Sequence, residues 1–376
     1  MSSLSTAPAT APPPAPGPGA PPNAPEGVRF HHLARLWGVG AWRCVGSALA
    51  TLAGFALAAV AFVAAAVWLV PLLGLSMDGQ RVQLVLLYGA VAASLPVVLI
   101  TVRLIERRPV GTLWSVRGRP RWSWLGVCLC VAVPAVLAMA TAMMIIGMVT
   151  GNGGPAAPVE WVRWDGIGEY LAGLALMLSI VAVQTAAEEV IFRGVLLQAA
   201  GRFFRSMWPP VLIQAVVFAA VHGVGNWWGS LTMLCVGVVL GWLAVRTGGL
   251  EAGIALHLVV NVLPIPILFA ATGENGSIAA GTAADATAWI AAVQPVGAAI
   301  YAAAVVYIAA RMFRLPHTTS GTSQHATPTA TADQPEPATV LAHPGEAPHA
   351  GPDTEAEEPA GDTPAGDVIT AGTQQP

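Results

Sequence analysis

The chain has 376 residues, 55% of them hydrophobic and 10% charged, with a mean hydropathy of +0.65. A soluble domain carries about 25% charged residues, so this chain has too little polar surface to coat a water-soluble globule. The formal charge of −3 hides an asymmetry: residues 1–314 hold all 17 basic residues, every one an arginine, against 11 acidic ones, while nine more acidic residues follow Arg314. A body with a net +6 suits contact with anionic membrane lipids. It carries no basic stripe with interleaved aromatics, so nothing points to nucleic acid.

Residues 1–27 are almost all Ala, Pro, Ser, Thr and Gly. Such a stretch cannot bury a core and is expected to be a disordered tail. It lacks the charged region and apolar run of a signal peptide. A transmembrane domain is expected over 28–314. A run of about 20 apolar residues spans the bilayer core, and eight apolar runs follow at about 44–73, 82–105, 123–149, 168–190, 208–222, 229–246, 250–270 and 287–312. The expected fold is therefore all-α, a polytopic transmembrane helix bundle of about eight spans with disordered N- and C-terminal tails. The runs at 208–222 and 229–246 are short for a full crossing. Short spans at membrane depth require cover from protein or a water-filled cavity.

Arginines mark one side of the membrane. They crowd the segments before the first span, between the second and third, and after the fourth, sixth and eighth. Alternate connections thus share one side, the cytoplasm, and an even count leaves both termini there. This makes a multi-pass protein of the cytoplasmic membrane. The connection from Glu106 to Trp122 is expected at the interface, with Trp114, Trp122 and Trp124 as anchors. Cys44, Cys128, Cys130 and Cys235 all sit in apolar runs and read as small packing residues. Residues 315–376 form a second expected disordered tail, this one acidic.

Ionisable residues inside a span are costly and mark functional sites by default. Here they gather at three places. Glu188 and Glu189 follow an apolar run, with Arg193 four residues beyond Glu189. Residues four apart share a helix face, so Glu189 and Arg193 can pair. Glu188 then points about 100° away. His222 closes a short apolar run before Gly223. His257 and Asn261 are again four apart, on one face of an otherwise apolar run. Taken singly, each group has a structural explanation: a headgroup charge cluster, a helix cap or interhelical glue. Together they set two carboxylates, two imidazoles and an amide within a bundle nearly free of charge. Peptide hydrolysis needs a base for water, a stabiliser for the oxyanion and a proton for the leaving amine. Glu188 with His222 could supply the first and third, and His257 with Asn261 the second.

These residues, Glu188-Glu189-x-x-x-Arg193, Phe218-x-x-x-His222 and His257-x-x-x-Asn261, resemble in order the motifs of the CPBP family. These are the CAAX proteases and bacteriocin-processing intramembrane metalloproteases, also called the Abi family. The segment Gly237 to Leu250 is similar to the family's stretch before its last motif, and the resemblance covers about 165–265. It implies a membrane-embedded endopeptidase of the hydrolase class acting on a membrane-tethered peptide or protein. Glu188, Glu189, His222, His257 and Asn261 would form the catalytic set, with Arg193 in structural support. Glu188, His222 and His257 would also be the ligands of a divalent metal such as zinc, if one is bound. A metal-free, glutamate-activated water fits the same residues, since no His-Glu-x-x-His is present. Two other readings stay open: a non-catalytic immunity or scaffold protein on the same fold, and a transporter using buried carboxylate and imidazole. The arginine-only, Ala/Gly/Pro-rich composition reads as bacterial.

Overall fold

A computed structural model describes residues 27–150, 167–222, 226–263 and 288–313. Apart from Gly27, both expected tails lie outside these residues. Regular structure among the described residues is helical: α1 Ala41–Leu72, α2 Gln80–Ala92, α3 Ser94–Thr101, α4 Trp122–Thr150, α5 Ile167–Glu189, α6 Trp208–His222, α7 Trp227–Thr247, α8 Glu251–Val262 and α9 Ala288–Ile308. Helices α2 and α3 form one apolar rod, Val82–Glu106. Helix α5 continues through a π-helical stretch, Val190–Leu196, to Gly201. Six of these rods are long and apolar enough to cross a membrane, and α6 and α8 are shorter apolar helices. The chain is a multi-pass helical membrane protein. Its outward faces carry bare apolar side chains, such as Trp68 at 78% and Leu72 at 81% exposure. In water such a surface would aggregate; in lipid it is matched.

Two expected boundaries shift. Helix α7 is not short: it runs 21 residues. Its start is fixed by the Asn226 side chain, which accepts from the Gly229 N–H at 2.9 Å. Its end is fixed by Gly248 at φ 70°, the left-handed residue that closes many helices. The shorter element is α8, at 12 residues, and the rest of the expected 250–270 span lies outside the described residues. The fourth span does not stop at 190 but extends to Gly201. Glu189 and Arg193 bond each other within the helix, so their charges do not end it, and residues 187–199 are buried throughout.

The buried half of this rod is the axis of the molecule. Val190, Ile191, Phe192 and Val195 pack with Val98, Leu113, Phe218, Val245 and Ile254 from five surrounding elements. A second core joins α4, α7, α8 and α9 around Trp124, Leu243, Ala255 and Tyr301. The Tyr301 hydroxyl donates to the Ala252 carbonyl at 2.9 Å and ties α9 to α8. Helix α6 lies close on α7 because Gly237 has no Cβ; one there would stand 3.1 Å from the Ala215 Cα. Small residues give membrane helices such close approaches.

The connection 107–121 is more than an interfacial segment. Trp122 is 72% exposed, as an anchor should be, but Trp124 is 1% exposed and belongs to the core. Arg108 turns inward, donating to Glu106 at 2.6 Å and to Thr112 at 2.9 Å, and it also bonds Gln198. Arg121 turns inward too. Its Nε and Nη2 meet the Glu251 carboxylate at 2.9 and 2.6 Å, and its Nη1 donates to the Thr247 carbonyl at 2.9 Å. This fork-to-fork geometry is the strong form of the ion pair. It pins the start of α8, two turns before the site, to the start of α4. Among the cysteines, Cys44 and Cys128 are buried as expected, while Cys130 is exposed on α4.

Candidate active site

Three helices bring the site together. Helix α5 carries Gln184, Glu188 and Glu189, the end of α6 carries Phe218 and His222, and α8 carries His257 and Asn261. Adjacent residues on α5 diverge by about 100°, and the two carboxylates part accordingly. Glu188 lines a cavity of about 460 Å³, together with Gln184, His222, His257 and Asn261. The remaining walls are mostly apolar, from residues such as Phe55, Met139 and Leu240. Glu189 and Arg193 do not line the cavity; they lie behind it, both 0% exposed.

Glu189 Oε1 receives two bonds, from Arg193 Nη1 at 3.1 Å and from His257 Nδ1 at 3.0 Å. The Arg193 guanidinium also stacks 4.2 Å from the Phe218 ring centroid, a cation–π contact. Helix α8 approaches this carboxylate through Gly253, where a Cβ would stand 2.8 Å from Glu189 Oε2.

Glu188 is held differently. Its Oε1 accepts from Gln184 Nε2 at 2.6 Å. Its Oε2 lies 3.4 Å from His222 Nε2 and 3.5 Å from His257 Nε2. These distances bring charge and imidazole together yet exceed a direct hydrogen bond. The partners of the other ring nitrogens assign both tautomers. His222 Nδ1 is 2.9 Å from the Phe218 carbonyl, which can only accept, so Nδ1 carries hydrogen. His257 Nδ1 faces the Glu189 carboxylate and carries hydrogen for the same reason. In the neutral rings both Nε2 lone pairs then converge on Glu188 Oε2. That oxygen is buried and has no hydrogen-bond partner of its own.

The arrangement can do three things chemically. It offers a carboxylate oxygen able to accept a proton from water, an imidazole beside it able to pass that proton on, and a second imidazole whose ring is held through Nδ1 by the Glu189 carboxylate. Among the described residues no group of three or more His, Cys, Asp or Glu side chains is arranged to hold a metal ion. In the possible Glu188, His222 and His257 ligand set the two Nε2 atoms stand 3.4 and 3.5 Å from Glu188 Oε2, and the chemistry described for this site uses the side chains alone.

One member of the site was absent from the sequence motifs. Gln184 is uncharged and sits inside an apolar run, so a search for ionisable residues passes over it. Its spacing of four from Glu188 was the available signal, the same spacing that joins Glu189 to Arg193 and His257 to Asn261.

Fold and site together define a multi-pass membrane protein with a carboxylate–imidazole centre buried among its helices. Comparison gives a likeness over one segment: residues 170–263 match the family model described as type II CAAX prenyl endopeptidase Rce1-like, and the motifs that resemble the CPBP group lie within it. A stretch of 95 residues is 34% identical to the uncharacterized protein YyaK of Bacillus subtilis (strain 168). That stretch covers 24% of this chain and 32% of YyaK, so the likeness spans about a third of the relative's length. No solved structure matches the chain.

Proposed function

We propose that the protein is an endopeptidase of the cytoplasmic membrane, with both termini in the cytoplasm, that hydrolyses a peptide bond of a membrane-tethered peptide or protein. The observation that carries this reading is Glu188 Oε2, buried yet unbonded and facing two imidazoles at 3.4 and 3.5 Å across a cavity between membrane helices. Glu188 takes a proton from a water that attacks the scissile carbonyl. To meet the developing oxyanion together with an Asn261 N–H, His257 must first take up a second proton on Nε2, its Nδ1–H staying on Glu189. Donors fixed in place before charge develops are the strongest single source of rate. His222 carries the proton from Glu188 to the departing amine, its ring held by the Phe218 carbonyl. The mostly apolar cavity walls favour uncharged residues beside the scissile bond. Candidate substrates are a peptide precursor, a signal-peptide remnant or the tail of a membrane protein.

The test is proteolysis of a library of membrane-tethered peptides by the purified full chain in detergent, with and without a zinc chelator. The expected result is cleavage at discrete internal bonds, unchanged by chelation. Loss on chelation with recovery on added zinc would place a metal in the mechanism. Absence of any cleavage would favour the scaffold reading.

A second expectation concerns Gly253. In Gly253→Ala the new methyl presses on Glu189 Oε2, which would stand 2.8 Å from it. The carboxylate must swing from His257 or Arg193. A misplacement of this size costs about 100-fold in rate. Turnover measured beside the melting temperature checks it; wild-type turnover in the alanine variant would show that Glu189 placement does not matter.

A further inference from the structure

We propose that Gln184 is a positioning residue that holds the base Glu188 and the oxyanion donor Asn261 in register through its one side-chain amide, an inference that rests on the endopeptidase reading. Gln184 is 4% exposed and lies one turn before Glu188 on α5. Its Nε2 donates to Glu188 Oε1 at 2.6 Å, and its Oε1 accepts from Asn261 Nδ2 at 3.2 Å and from Thr185 Oγ1 at 3.2 Å. It lies outside the Glu-Glu-x-x-x-Arg motif.

The polarity of this chain is forced. An ionised carboxylate accepts only, so Gln184 must turn its NH₂ toward Glu188. Its carbonyl oxygen then faces Asn261, which must answer with its own NH₂. The charge on Glu188 thereby dictates the orientation of two amides in sequence. Reversing either one would set like groups against each other in a buried site, where an unmade hydrogen bond costs its full desolvation penalty.

Two consequences follow for the chemistry. Binding Oε1 removes one carboxylate oxygen from use, so the oxygen left for water is Oε2, the one that faces both histidines. Asn261 spends one N–H on Gln184 and keeps the second, now fixed in direction, for the cavity that both amides line. Gln184 also connects α5 to α8, so the base on one helix and the oxyanion donor on the other cannot drift apart. Positioning at this level of tolerance separates a working site from one with all its groups present but slack.

The test uses Gln184→Met, which keeps length and volume and removes both hydrogen bonds. The expected result is a kcat lower by about 10- to 100-fold, a KM within about twofold, and a melting temperature within a few degrees of wild type. Full kcat in Gln184→Met would reduce the residue to packing and overturn the proposal. Should the methionine variant fail to fold, Gln184→Asn retains an amide but is one methylene too short to span both partners. It is expected to lose turnover as well, and full turnover there overturns the proposal equally.

A second readout needs no substrate. In a double-mutant cycle on melting temperature, Gln184→Met and Asn261→Leu are expected to be non-additive, the combined loss falling short of the two single losses, because both remove one bond. Additive losses overturn the proposal whether or not the protein cleaves anything. Failure of the wild type to cleave, with the cycle still coupled, overturns the endopeptidase reading and leaves the amide linkage standing.

Discussion

Glu188→Gln is expected to lower turnover of a membrane-tethered peptide by at least about 1,000-fold, within the range of 10²–10⁴ that general bases contribute, while the protein keeps its fold. The amide has nearly the shape of the carboxylate and can still face Gln184, but it cannot take a proton from water. The neighbouring substitution should behave in another way. Glu189 does not reach the cavity; it balances Arg193, whose guanidinium is 0% exposed. Glu189→Gln leaves that charge buried without its counter-ion, and such losses cost about 3–5 kcal/mol. The two adjacent glutamates are thus separable by experiment: the first variant is stable and inactive, the second is unstable. Thermal unfolding beside turnover for both variants checks this. Equal stability losses would mean that the two carboxylates share one structural role.

Glu251→Ala should be among the most destabilising single changes in the chain. Arg121 makes two side-chain bonds to that carboxylate, and its backbone N–H makes a third at 2.8 Å. Both side chains are nearly inaccessible, at 4% and 3%. Removing the glutamate strands a guanidinium at the junction of α4, α7 and α8, at a cost of about 3–5 kcal/mol. For a chain of this size the melting temperature should fall by roughly 5 °C. The double replacement Arg121→Met with Glu251→Leu removes both charges and should recover most of that loss, because apolar residues commonly replace buried pairs without penalty. If the double variant is as unstable as the single one, the contribution lies in the Arg121 bond to the Thr247 carbonyl and not in the ion pair.

The sequence made the bundle legible because lipid imposes a simple rule: long apolar runs become helices. The site was legible in part because charge inside such runs is rare, so Glu188, Glu189, His222 and His257 stood out against an apolar background. The rule gave less where polarity is hidden. Arg108 and Arg121 read as membrane-side arginines, yet each is neutralised by a buried glutamate, and Glu251 lies 130 positions from its partner. No local pattern reports such a pairing. Glu251 stands at the edge of the expected 250–270 span, where a carboxylate carries no signal of its own. The fourth span seemed to end at its carboxylates, because an internal Glu–Arg bond that cancels the charge is a property of the folded helix. Gln184 was missed because neutral amides do not register as costly in a composition scan, although in a dry interior their hydrogen bonds must be satisfied as strictly as those of charged groups.

The most direct measurement of the central claim sets purified wild type against Glu188→Gln, both reconstituted in liposomes, on one library of membrane-tethered peptides with the products sequenced by mass spectrometry. New termini at discrete internal bonds are expected with wild type and none with Glu188→Gln at an unchanged melting temperature. The same termini from both proteins, at similar rates, would contradict it, because cleavage would then not depend on the carboxylate around which the site is built.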